Sequence, residues 1–198
     1  MMKTILLVML LISGAQAMAQ HGEHKAEQLG YADSVNAGLI KVDDRKGSPV
    51  RMAMANVGAS HVHITYGSPG VKGRVIWGGL VSYDQVWCAG AHNATWISFS
   101  EPVLINGKKM NAGKYSFFII AKAKGPWTII FNSDAEMHLA DEYETSKDVL
   151  RLEVTPMKDA ATSLPRLTFT VKETAKNEGY IQFAWEKKIL QLQVRSLL

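Results

Sequence analysis

The clearest order in this chain is an alternation of apolar and polar positions with a period of two, strongest toward the C-terminus. Leu167, Phe169 and Val171 fall on one side of an extended backbone and Thr168, Thr170 and Lys172 on the other, because successive side chains of a strand point to opposite faces. Ile181, Phe183 and Trp185 repeat the pattern against Gln182 and Ala184, and Leu190, Leu192 and Val194 against Gln191 and Gln193. Each segment predicts a strand with one face in the core and one in water. Tyr115 to Ala121 and Trp127 to Phe131 are apolar on nearly every position, which predicts strands covered on both faces and paired as a hairpin across Lys122 to Pro126. Further strands are predicted over Val50 to Asn56, His61 to Tyr66, Arg74 to Trp77, Thr95 to Phe99, Val103 to Ile105 and Val149 to Thr155. Glu101-Pro102 and Asn106-Gly107 supply turn signals among them. Asp134 to Lys147 is acidic and weakly amphipathic, a helix or an irregular excursion. About ten short strands without intervening helices predict an all-β fold, an antiparallel β-sandwich or jelly-roll-like domain, over residues 48–198.

The start of the chain follows another rule. Met1-Met2-Lys3 precedes the apolar run Ile5 to Ile12, and Ala17-Met18-Ala19 offers the small residues of a signal-peptidase site. Residues 1–19 are therefore expected to be a cleavable signal peptide, with the mature chain starting at Gln20 and the protein exported, periplasmic or secreted. A spanning helix needs roughly 20 apolar residues, and this run is interrupted by Ser13, Gly14 and Gln16. No later segment is long and apolar enough to span a bilayer, so the mature protein is expected without a membrane span. Residues 20–47 mix charge with Gly, Ser and Asn, show no sustained period, and read as a flexible leader.

Composition narrows the picture modestly. The formal charge is +4, and Lys3 is the only charged residue of the signal segment, so cleavage leaves 4 − 1 = +3. Cations are scattered among acids rather than gathered on one face, which argues against nucleic acid as a partner. Cys88 is the only cysteine, so no internal disulfide forms and a hydrophobic core must carry stability; a buried, inert thiol is expected.

The segment Thr65-Tyr66-Gly67-Ser68-Pro69-Gly70-Val71-Lys72-Gly73-Arg74-Val75-Ile76-Trp77-Gly78, followed by Val86-Trp87, Gly90-Ala91 and Ala94-Thr95, resembles the bacterial domain of unknown function family 2911. Asn106-Gly107-Lys108, Ala112 to Ser116, Trp127 to Ile130 and Asp148 to Arg151 follow in that family's order, and the resemblance spans roughly residues 48 to 195. It implies a secreted β-rich domain with no assigned reaction. Many members read Val-Trp-Arg-Thr-Gly-Ala-Asn where this chain reads Val86 to His92, so an Arg is replaced by Cys88 and a His is gained at position 92.

Candidate chemistry begins with His61-Val62-His63. On a strand both imidazoles project from one face, a common start for a metal site, which needs three or four N, S or O ligands. His92 and His138 are the available partners, Zn or Cu the candidate ions, and Asp134, Glu136, Asp141 and Glu142 the candidate carboxylates. Solvated rim histidines fit the same pattern. The loop Gly67 to Arg74 offers backbone N–H groups and the cations Lys72 and Arg74 for an anion, or else simply turns. Trp77, Tyr83, Trp87 and Trp96 form either a platform for flat ligands such as sugar rings or part of the core. No GxSxG elbow is present. Three functions follow. The foremost is a non-catalytic binding module for a small molecule, glycan or metal ion. The second is a metal-dependent hydrolase or oxidoreductase using His61, His63, His92 and His138. The third is an envelope structural or interaction domain.

Overall fold

The apolar hairpin at the centre of the chain organises the fold. The computed structural model describes residues 30–157 and 159–198, so the expected signal peptide and the first part of the expected leader lie outside it. Strands β1 (Val50–Val57), β2 (Ser60–Gly67), β3 (Val86–Trp87), β4 (Trp96–Phe99), β5 (Val103–Ile105) and β6 (Lys108–Met110) precede β7 (Gly113–Ile120) and β8 (Trp127–Asn132). After them come β9 (Asp148–Val154), β10 (Leu164–Ala175), β11 (Glu178–Glu186) and β12 (Lys188–Ser196). All strand pairings are antiparallel. One sheet runs β1-β2-β4-β7-β8-β9, with β3 added to β7, and the second runs β10-β11-β12-β5-β6.

The inward faces close on one another as the alternation predicts. Val62, Ile64, Ile97, Phe99, Phe117, Ile119, Ile129 and Phe131 of the first sheet share a core with Leu167, Phe169, Ile181, Phe183, Trp185, Leu190, Leu192 and Val194 of the second. Trp77 and Trp87 join this core, 4.6 Å from Trp127 and 5.7 Å from Trp185 respectively between ring centroids. The two-sided apolarity of β7 and β8 has a separate cause. Their outward residues Phe118 and Ile130 form a second cluster with Cys88, Ala94 and Met137, against which Leu139 and Tyr143 pack. The acidic excursion of residues 133–147 is thus a lid of irregular chain over the first sheet's outer face, helical only in a 3-10 turn at Thr145–Lys147.

Two expectations change. Arg74 to Trp77 is not a strand: residues 75–81 fold back on themselves, with Leu80 N–H donating to Val75 O (3.0 Å) and Val81 N–H to Ile76 O (2.8 Å). Left-handed backbone at Lys72 (φ 47°), Gly73 (φ 69°) and Gly78 (φ 79°) curls the chain out of extended geometry. Nor is the whole of residues 20–47 a loose leader, because from Gly30 onward the chain is docked on β10. Helix α1 (Tyr31–Asn36) buries Ala32 and Val35. Asn36 behaves like a strand neighbour of β10, donating from Nδ2 to Arg166 O (3.0 Å) and accepting at Oδ1 from Arg166 N–H (2.8 Å). The Arg166 side chain, fully buried, donates to Asp43 Oδ1 (2.6 Å) and Ser68 O (2.8 Å) and lies over the Tyr31 ring. No helix among the described residues is long and apolar enough to cross a membrane.

Candidate functional site

Strand register places the polar side chains of the first sheet's outer face in rows. His61, His63 and Thr65 alternate outward on β2 while Val62, Ile64 and Tyr66 turn into the core. His63 stands opposite Met54 of β1 and Ser98 of β4, and Ser98 in turn opposite Lys114 of β7; Thr65 stands opposite Trp96. The His63 ring lies 4.9 Å from Trp96 and its Nε2 3.2 Å from Thr65 Oγ1. Lys114 Nζ sits 4.3 Å above the Trp96 ring and 3.1 Å from Glu136 Oε1, tying β7 to the excursion. Partial burial, helped by the neighbouring His61, lowers the His63 pKa and favours its neutral imidazole.

A cleft of about 470 Å³ opens beside this row, lined among others by Thr65, His92, Asn93, Trp96, Lys114 and Glu136. Its far wall is the loop from Cys88 to Asn93, which is held in an uncommon conformation: Ala89 (φ 50°) and His92 (φ 67°) are both left-handed without being glycine. The loop presses so close to β2 that a Cβ on Gly67 would overlap the Ala91 carbonyl. Thr95 Oγ1 donates to Ala89 O (3.1 Å), and Leu139 N–H to His92 O (2.9 Å), fixing both ends. A second cleft, about 450 Å³, shares Ala91 and His92 and reaches Arg74, Trp87, Cys88, Asp141 and Trp185 on the other side of the same loop.

The residues singled out from sequence divide accordingly. His61 and His63 share one strand face, with His61 Nδ1–H donating to Asn56 Oδ1 (2.8 Å). His92 and His138 are brought near each other through the backbone bridge between Asn93 and His138, and His138 Nδ1 lies 3.1 Å from Asp141 Oδ2 at the surface. The expected convergence of all four is not formed, for no three side chains among the described His, Cys, Asp and Glu residues gather to hold a metal ion. Lys72 and Arg74 turn their donors on main-chain carbonyls, Lys72 on Arg45 O and Arg74 on Gly70 O and Val71 O, as befits a turn. Trp77 and Trp87 pack against the core and Trp96 faces outward, so the aromatic group is split between core and site. Cys88 is buried, and desolvation pushes its thiol up to about 11, which keeps it protonated at neutral pH.

An all-antiparallel sandwich with two clefts around one strained loop defines the class of molecule. The chain belongs to the family described as Protein of unknown function (DUF2911), which matches residues 48–194 and takes in both clefts. No curated protein and no solved structure matches the chain.

Proposed function

We propose that this protein is a non-catalytic binding module that holds a small, hydroxyl-rich ring compound, of which a sugar is the simplest case, in the cleft beside Trp96. One observation carries the reading: an indole and the polar side chains of Thr65, His92, Asn93, Lys114 and Glu136 converge on a concavity of about 470 Å³, well within the span of roughly 300–1,000 Å³ usual for small-molecule sites. A sugar ring has an apolar C–H face for the indole and hydroxyls for amide, ammonium and carboxylate partners. The strained loop supports the same reading, since left-handed non-glycine residues concentrate where geometry serves a ligand.

Binding is preferred over turnover because two of the candidate acid, base and nucleophile groups are already occupied. The thiol of Cys88 is protonated and buried, and Glu136 is tied to Lys114 at 3.1 Å. The module is further proposed to work outside the cytoplasm, on the strength of the signal-like pattern from Met1 to Ala19.

The test is a titration of the protein with a panel of mono- and oligosaccharides, followed by amide and indole NMR shifts. At least one compound is expected to move the signals of Trp96 and Asn93, and Trp96→Ala and Asn93→Ala are expected to abolish the shifts while circular dichroism stays unchanged. A panel that leaves Trp96 unmoved ends the sugar reading, and turnover of any bound compound ends the non-catalytic one.

A further inference from the structure

Edge strand β1 holds three large apolar side chains in water. Val50, Met52 and Met54 are exposed by 74, 62 and 50 %, and all three alternate outward with Asn56 while Arg51, Ala53 and Ala55 point the other way. Packing does not account for the two methionines, so their chemistry becomes the question.

The register answers it. Met54 stands directly opposite His63, and Met52 opposite Thr65 and diagonal to His63. In an antiparallel pair, opposed Cβ atoms lie roughly 4.5–5.5 Å apart and diagonal ones about 7–8 Å, distances that flexible thioether arms span. His61 is the next outward position on β2, diagonal to Met54, its ring 6.5 Å from that of His63. Its Nδ1 bonds Asn56 Oδ1 (2.8 Å), an acceptor, so that Nδ1 carries the proton and Nε2 keeps its lone pair. Of the other neighbours in these rows, Asn56, Thr65 and Ser98 are neutral, Thr65 Oγ1 lying 3.2 Å from His63 Nε2, and Lys114, beyond Ser98, has its charge paired with Glu136 at 3.1 Å.

Two thioethers and two imidazoles without a carboxylate or thiolate make a soft, neutral donor set. Thioether sulfur selects Cu(I), whereas Zn(II) is held by thiolate, imidazole and carboxylate. We infer that Met52, Met54 and His63, with His61 as a fourth donor, form a surface site for Cu(I), for which Ag(I) is a redox-inert substitute. The site binds the ion without a change of oxidation state. Neither methionine lines the sugar cleft, so this site and the proposed binding function stand or fall separately.

Untagged protein is titrated with Ag(I), and anaerobically with Cu(I) against a chromophoric Cu(I) chelator. One ion per chain is expected at this site, with the ε-methyl NMR signals of Met52 and Met54 shifting while those of buried Met110 and Met137 stay in place. The Met52→Leu/Met54→Leu double variant keeps apolar side chains at exposed positions and preserves the fold by circular dichroism. It is expected to weaken Cu(I) binding roughly tenfold or more, and His63→Gln likewise, in keeping with the 10–100-fold losses seen on disturbing even outer-shell groups of a metal site. Zn(II) leaves both methyl signals unmoved. Wild-type Cu(I) affinity in the double variant, or methyl signals of Met52 and Met54 that ignore Ag(I), overturns the assignment, including the case in which other histidines alone take the ion.

Discussion

Arg166 places a guanidinium with no solvent exposure on the outward face of a strand, and Asp43 makes that position tolerable. The pair is 2.6 Å apart, and Tyr31 O–H donates to the same carboxylate oxygen at 3.0 Å. Removing one partner of a buried ion pair leaves an uncompensated charge and costs about 3–5 kcal/mol. Asp43→Ala is therefore expected to lower unfolding free energy by about 3 kcal/mol in urea titration, whereas Tyr31→Phe, which deletes the hydroxyl that donates to Asp43 Oδ1 (3.0 Å) and accepts from Arg45 N–H (3.1 Å), costs about 2 kcal/mol. Acid has a signed effect. Burial pushes the Asp43 pKa upward, but the hydrogen bonds from Arg166 and Tyr31 and the charges of Arg166 and Lys72 prevail and hold it below the ordinary value of 3.8. A depressed carboxylate contributes its full stabilisation above its unfolded pKa and loses it as pH falls through the folded one. The stability advantage of the wild type over Asp43→Asn is thus expected to be constant at neutral pH and to shrink on acidification below about pH 4. An advantage that does not shrink with acid would place the charge elsewhere.

At the scale of elements, strands β7 and β8 are buried on both faces because the excursion after β8 covers what the second sheet does not. Phe118 has no exposed surface and its ring lies 5.2 Å from Tyr143. Phe118→Ala is expected to cost about 3 kcal/mol or more, the range for removing a buried ring, and to expose residues 133–147 to protease first. This covering could be inferred from sequence, since a strand apolar at every position demands material on each side. The alternating faces of β10, β11 and β12 were legible for the same reason: period two is a local signal. Val75 and Ile76 misled because apolar β-branched pairs suit a strand, while the curl is imposed by left-handed positions flanking them at Lys72, Gly73 and Gly78. The candidate site was legible by halves. Alternation put His61 and His63 on one face, but which residues stand opposite them depends on strand register, and register joins β1 to β2 in a way that the HxH motif does not encode. Met52 and Met54 carried no signal until that register was known.

At the scale of the whole molecule, the family match and the folded body do not begin at the same place. The match opens at residue 48, yet the chain from Gly30 to Asp43 supplies the helix, the Asn36 amide and the carboxylate that cover the outer face of β10. The partners are far apart in sequence, Asn36 from Arg166 by 130 residues, which is why composition alone made this segment look like a leader. A chain shortened to begin at Ser48 loses every one of these contacts: the Arg166–Asp43 ion pair, the two Asn36 bonds to the Arg166 backbone and the burial of Ala32 and Val35. Three hydrogen bonds, one of them charge-assisted, and two buried apolar side chains together are worth about 3–5 kcal/mol, and for a domain of this size each kcal/mol moves the midpoint by about 2–4 °C. The form starting at Ser48 is therefore expected to melt roughly 10 °C below the form starting at Gly30, with the deficit smaller in an Arg166→Met background, where the ion pair is absent from both forms. Equal melting temperatures would mean that the segment rests on the sandwich without holding it. A deficit unchanged by Arg166→Met would shift the credit from the ion pair to the apolar contacts of Ala32 and Val35.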